Sequence, residues 1–120
     1  MEIIIPLISN LDQNQEFILL DNGEKRQKIR LHDYQTIFSI PGLYEKIVYE
    51  ILECNSPKVV TKLLEEEMTK ESENISDLTV LDMGAGNGIV AEELVKLGVD
   101  DVIGVDIIEE AKQAAFRDRP

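Results

Sequence analysis

The stretch Val80-Leu81-Asp82-Met83-Gly84-Ala85-Gly86-Asn87-Gly88 limits what this chain can fold into more than any other: an apolar run, an acid, then glycine at alternate positions. Such a run reads as a strand that gives way to a tight turn. Glycines lack Cβ atoms, so the turn can enter left-handed conformations and let a ligand approach main chain closely. The helix expected after it points its unpaired N–H groups into the same crook. The pattern predicts a strand, turn and helix that cradle a nucleotide-type cofactor.

The residues around that turn have the grammar of a βαβ unit. Thr79 to Met83 is the first strand, and Ile89 to Leu97 is a helix whose apolar face is Val90, Leu94 and Leu97. Gly98 stands where a left-handed residue would stop it. Val102 to Val105 is apolar throughout, as a strand buried on both faces should be, and it ends at Asp106. A further helix starts near Ile108, with Glu109 and Glu110 in its first turn and Ala111, Ala114 and Ala115 behind them.

Upstream, Ile3 to Ile8 and Phe17 to Asp21 read as short strands, and Asn22-Gly23 is a two-residue hairpin signal leading into Gln27 to Leu31. After Pro41-Gly42, the spacing of Leu43, Ile47, Val48, Ile51 and Leu52 predicts one amphipathic helix ending near Asn55. Ser56 and Pro57 form an N-cap and first-turn pair for a second helix, with Val59, Val60, Leu63, Leu64 and Met68 as its apolar stripe. Glu65 to Asp77 is acidic and polar and marks an exposed connector. The expected division is residues 1–77, a β-hairpin and helical segment able to act as a lid, and residues 78–120, the start of a cofactor-binding core. Two parallel strands with one crossover leave a sheet edge bare. The expectation is therefore an incomplete fold whose edge is covered by a missing C-terminal half or by a partner copy in an oligomer.

Composition narrows the partners. A net charge of −12 over 120 residues disfavours a phosphate backbone, because nucleic-acid binders concentrate Lys and Arg on one surface. Cys54 is the sole cysteine, which rules out an intrachain disulfide and suits a reducing compartment. The N-terminal residues lack a basic flank, and the apolar run near them is too short for a signal sequence or a membrane span. The expected location is the cytoplasm, away from membranes.

The segment Val80 to Gly88 resembles motif I of the class I S-adenosylmethionine-dependent methyltransferases: two apolar residues, an acid, an apolar residue, then Gly-x-Gly-x-Gly. The resemblance runs on through the next helix to Asp106. It implies a Rossmann-like α/β fold of that class, incomplete in this chain and preceded by a β-hairpin and two helices. It also implies S-adenosyl-L-methionine as cofactor. Gly84, Gly86 and Gly88 would pass under its methionine part and ribose, with Ala85 and Asn87 completing the turn. Asp82 would help hold the amino end, Asp106 would accept from the ribose hydroxyls, and Ile107 would stand beside it. The implied activity is methyl transfer to an unidentified acceptor, expected to be a small molecule, and no catalytic base is named by the sequence.

Two other readings compete. Gly86-Asn87-Gly88-Ile89-Val90-Ala91 also fits the dinucleotide fingerprint of an NAD(P)-binding protein, although that register leaves Asp82 inside an apolar strand and Gly84 without a role. The turn could instead be a plain connection in a non-catalytic interaction module. Tyr34 and Tyr44 are lid candidates. His32, beside Asp33, is read as a turn residue before it is read as a general base. Glu65-Glu66-Glu67 has metal-like composition, but successive helical positions point apart, so a solvated face is expected and no metal.

Overall fold

In the computed structural model, which describes residues 1–6 and 10–119, the chain is mixed α/β with two small sheets. The first is antiparallel, in the order β1 (Glu2–Ile4), β2 (Phe17–Asp21), β3 (Arg26–Arg30). Ile18 faces Ile29 across β2 and β3, and alternation adds Leu20 to the same face. That face is buried against Ile37, Leu43 and Ile47, and each such side chain contributes about 1.5–3 kcal/mol relative to exposure. The first strand is shorter than the Ile3 to Ile8 run suggested, and Leu7 and Ile8 lie outside the described residues.

The hairpin forms, but its turn is wider than two residues. Asp21 and Arg26 are the last pair, so Asn22 to Lys25 make the loop. The Asn22 Oδ1 accepts from the N–H groups of Glu24 and Lys25, each at 3.0 Å, while Gly23 takes the positive φ of 93°. A side chain that satisfies two loop donors removes the need for the tighter turn.

The sequence expectations lack α1 (Tyr34–Ser39), whose start is fixed by Asp33 accepting from the Thr36 N–H at 3.3 Å and the Thr36 hydroxyl at 2.8 Å. The next helix is not regular. α2 (Leu43–Glu45) widens into a π turn, Lys46–Ile51. The extra residue rotates later side chains out of the phase set by Leu43 and Ile47, so Ile51 and Leu52 are exposed and not part of the apolar face.

α3 (Ser56–Lys70) is capped at Asn55, one residue before the expected Ser56, and runs through part of the acidic connector. Its expected stripe is also displaced. Val59, Val60 and Leu63 are exposed, while Pro57 and Thr61 are buried and Leu64 packs toward the next helix. The neighbour of α3 lies on the Leu64 side, and hydrophobicity alone does not say which side a neighbour will occupy.

The second sheet pairs β4 (Thr79–Met83) with β5 (Asp101–Val105) in parallel, in the register Val80 to Val102 and Asp82 to Gly104. Between them lies α4 (Ile89–Lys96), stopped by Gly98 at φ 98° as expected, with the Val99 N–H bonded back to the Leu94 carbonyl at 3.0 Å. Leu94 and Val99 are buried with Ile75, and Val80 and Val102 pack on them. The opposite face is bare: Leu81, Met83, Ile103 and Val105 are 45–78% exposed. Val102 to Val105 is thus covered on one side only, contrary to expectation. α5 (Glu109–Asp118) packs on α1, where Phe38 meets Ala111 and Ala114.

Candidate functional site

The turn after β4 is shaped by its glycines. Gly84, Gly86 and Gly88 have φ of 74°, 56° and 83°, all in the left-handed region that side chains disfavour. The N–H groups of Gly84 and Ala85 both donate to the Val105 carbonyl, at 2.8 and 3.0 Å, which folds the turn back over the end of β5. Gly104 makes room for this: a Cβ there would stand 3.0 Å from the Ala85 methyl. At Gly84 nothing lies within 4 Å of a Cβ position, so main chain is open to an approaching group. Gly86 is closed on one side by the Phe38 ring, 3.3 Å from where a Cβ would sit.

Two carboxylates stand at the strand ends. Asp106 binds its own loop, accepting from the Gly86 N–H and from the Ile108 N–H, each at 2.9 Å. Each carboxylate oxygen has a second lone pair, so Asp106 retains acceptor capacity for hydroxyls. Ile107 beside it is fully exposed. Asp82, on β4, is half-buried, and its Oδ2 is shut off from solvent with no hydrogen-bond partner. Burial, and after it the charge of Asp106, push the Asp82 carboxyl above the usual carboxylate range. A buried acid without a donor is a group waiting for a cation or for a proton.

The N-terminal segment reaches this turn. Phe38, on α1, stacks on Tyr44 with ring centroids 4.4 Å apart, and Tyr44 meets Tyr49 edge-on at 5.8 Å. Burial raises the Tyr44 and Tyr49 hydroxyls above their ordinary range, so both stay neutral donors. Tyr34 lies further out, 6.4 Å from Phe38 by centroids and edge-on to His32. Of the two lid candidates, Tyr44 therefore adjoins the turn through Phe38, while Tyr34 sits on the outer side of α1. His32 is an exposed turn residue.

The Asn87 side chain turns inward. It is 2% exposed, its Nδ2 donates to Glu45 Oε1 at 3.0 Å, and its Oδ1 has no partner. Arg119 completes the cluster, donating to the Asn87 carbonyl at 3.2 Å and pairing with Glu45 and with Glu92. Phe38, Glu45 and Arg119 escape sequence reasoning because each touches the turn across a long chain separation. The one local signal was the Asp33 and Thr36 cap that starts α1.

Gly86, Gly88 and Asp106 line an open cleft of about 450 Å³ together with Ala91, Lys112, Ala115, Phe116 and Arg119. That volume lies within the range of small-molecule sites, about 300–1,000 Å³. Among the described residues no group of three or more His, Cys, Asp or Glu side chains could hold a metal, and no helix is long and apolar enough to cross a membrane. Glu66 and Glu67 face solvent, Glu67 pairing with Lys70 at 2.8 Å.

No family model matches the chain, and no solved structure does. Curated relatives do. A ribosomal protein L11 methyltransferase of Vibrio campbellii is 49% identical over 45 residues, 38% of this chain and 15% of the relative. Proteins of the same name from Vibrio parahaemolyticus and Vibrio vulnificus are each 47% identical over 45 residues. The match thus spans 15% of each relative's length, and the resemblance to methyltransferases drawn from Val80 to Gly88 agrees with what these relatives are named.

Proposed function

We propose that residues 78–120 form the start of the donor-binding core of a methyltransferase using S-adenosyl-L-methionine, in a Rossmann-like class I arrangement completed by further elements, with residues 1–77 closing over it. The observation that carries this reading is Asp82: a half-buried acid whose enclosed Oδ2 has no partner, two residues before the open main chain of Gly84. A cationic amino group satisfies it, whereas a pyrophosphate would add negative charge between Asp82 and Asp106. The residues present fit the donor. Asp106 has lone pairs left for adjacent ribose hydroxyls, Gly84 gives main-chain access, and Ile107 offers apolar surface to a purine.

When bound, the donor supplies a methyl carbon on a positively charged sulfur, with a neutral thioether as leaving group. The work left to this chain is to bind, to align and to exclude water. Asp82 and Asp106 fix the two ends of the donor, and the Phe38 and Tyr44 rings wall the turn from solvent. No side chain of the cluster is assigned as a base. The relatives' name favours a protein acceptor over the small molecule expected from the sequence, and with it a cytoplasmic place of action.

Calorimetric titration tests the reading. S-adenosylmethionine and S-adenosylhomocysteine should bind and NAD should not, and Asp106→Ala should weaken both sulfur ligands by about tenfold or more, since hydrogen bonds to a charged acceptor are worth about 1.5–3 kcal/mol each. Preferential binding of NAD, or unchanged binding in Asp106→Ala, would overturn it.

A further inference from the structure

The residue between the last two glycines of the turn is held from both sides by groups far away in the chain. Asn87 is 2% exposed, and its flanking residues Gly86 and Gly88 both have positive φ, which the lack of a Cβ permits. Its carboxamide donates to Glu45 at the end of α2, and its carbonyl accepts from Arg119 just past α5. Glu45 and Arg119 also pair with each other, and Arg119 reaches Glu92 on α4 at 3.2 Å.

We infer that Glu45 is a positioning residue for the donor turn, clamping Asn87 so that Gly86 keeps its N–H on Asp106. The inference rests on the reading of this turn as the donor site and adds the element that sets its shape. Asn87 Oδ1 already lacks a partner, so removing Glu45 leaves a buried carboxamide with none at either end. The turn escapes that cost only by moving Asn87 toward solvent. Both glycines permit the movement, and the Gly86 N–H, one residue before Asn87, is held on Asp106 at 2.9 Å. A turn held in its binding shape beforehand spends less on ordering when the donor arrives. The clamp also joins the N-terminal segment to donor affinity, because Glu45 follows Tyr44 and its partner ring Phe38 covers Gly86.

Glu45→Ala and Glu45→Gln separate this role from a plain ion pair. The glutamine oxygen can still accept from Asn87, but it no longer carries the charge that faces Arg119. Two measurements are made on the full chain: affinity for S-adenosylhomocysteine, and the exchange rate of the Gly86 amide hydrogen without ligand. Glu45→Ala should lose affinity about tenfold and speed Gly86 exchange by a similar factor, while Glu45→Gln stays within about threefold of wild type in both. Equal losses in the two variants would reduce Glu45 to an ion-pair partner and overturn the inference, as would unchanged values in Glu45→Ala. Should Glu45→Ala fail to fold, Arg119→Ala frees the Asn87 carbonyl instead: faster Gly86 exchange supports the clamp, and unchanged exchange overturns it. If the wild-type chain binds no sulfur ligand, the donor reading fails, and Gly86 exchange still decides the clamp.

Discussion

On the proposed reading, Asp82 serves donor binding at the expense of stability. Its carboxyl is raised from the ordinary 3.8 by burial first and by Asp106 second. The folded state thus favours the protonated form. This contribution to stability is fully present below the ordinary carboxylate value and is lost as pH rises through the raised one. Asp82→Asn, which never ionises, should therefore melt higher than wild type at neutral pH, and the gap should close by about pH 3. Thermal melts across that range check the sign. On the proposed reading the same variant should bind S-adenosylmethionine more weakly, because the negative charge that would face its amino group is gone. The motif made Asp82 legible, while its orphaned oxygen depends on which atoms the folded chain left near it.

At the scale of elements, β4, α4 and β5 follow the sequence closely because their determinants are local. An apolar strand run, the amphipathic face around Leu94 and the stop at Gly98 each act within a few residues. α1 and the π turn after α2 did not read out. Short helices are costly to nucleate and exist through packing, here of Ile37 on the first sheet and Phe38 on α5. Asp33 supplies the local part of that stability, and Asp33→Ala should cost about 1 kcal/mol in denaturant unfolding. Because α1 carries Phe38 to Gly86, the variant should also expose the turn, seen as faster exchange at Gly86.

The whole molecule is extended. Its radius of gyration is 16.7 Å, against about 14 Å for a compact domain of this length. It exposes 8260 Å², where a compact chain of 13.6 kDa would show about 6,600 Å². The excess reflects three small cores among the described residues in place of one, and the bare face of Leu81, Met83, Ile103 and Val105. An apolar sheet face of this kind, with unpaired strand edges, drives self-association. Residues 1–120 should associate with rising concentration in light scattering, and Ile103→Lys should reduce that association while leaving the far-ultraviolet circular dichroism intact.

What the sequence determined by itself is the glycine turn, its two acids and the βαβ order around them, since all of it is encoded in conformations and periodicities spanning a few residues. Tertiary structure alone decided that Phe38 seals Gly86, that Glu45 and Arg119 grip Asn87, and that one sheet face stays bare. Those outcomes depend on which distant surfaces meet when the chain closes, and residue types read one after another carry no record of that choice.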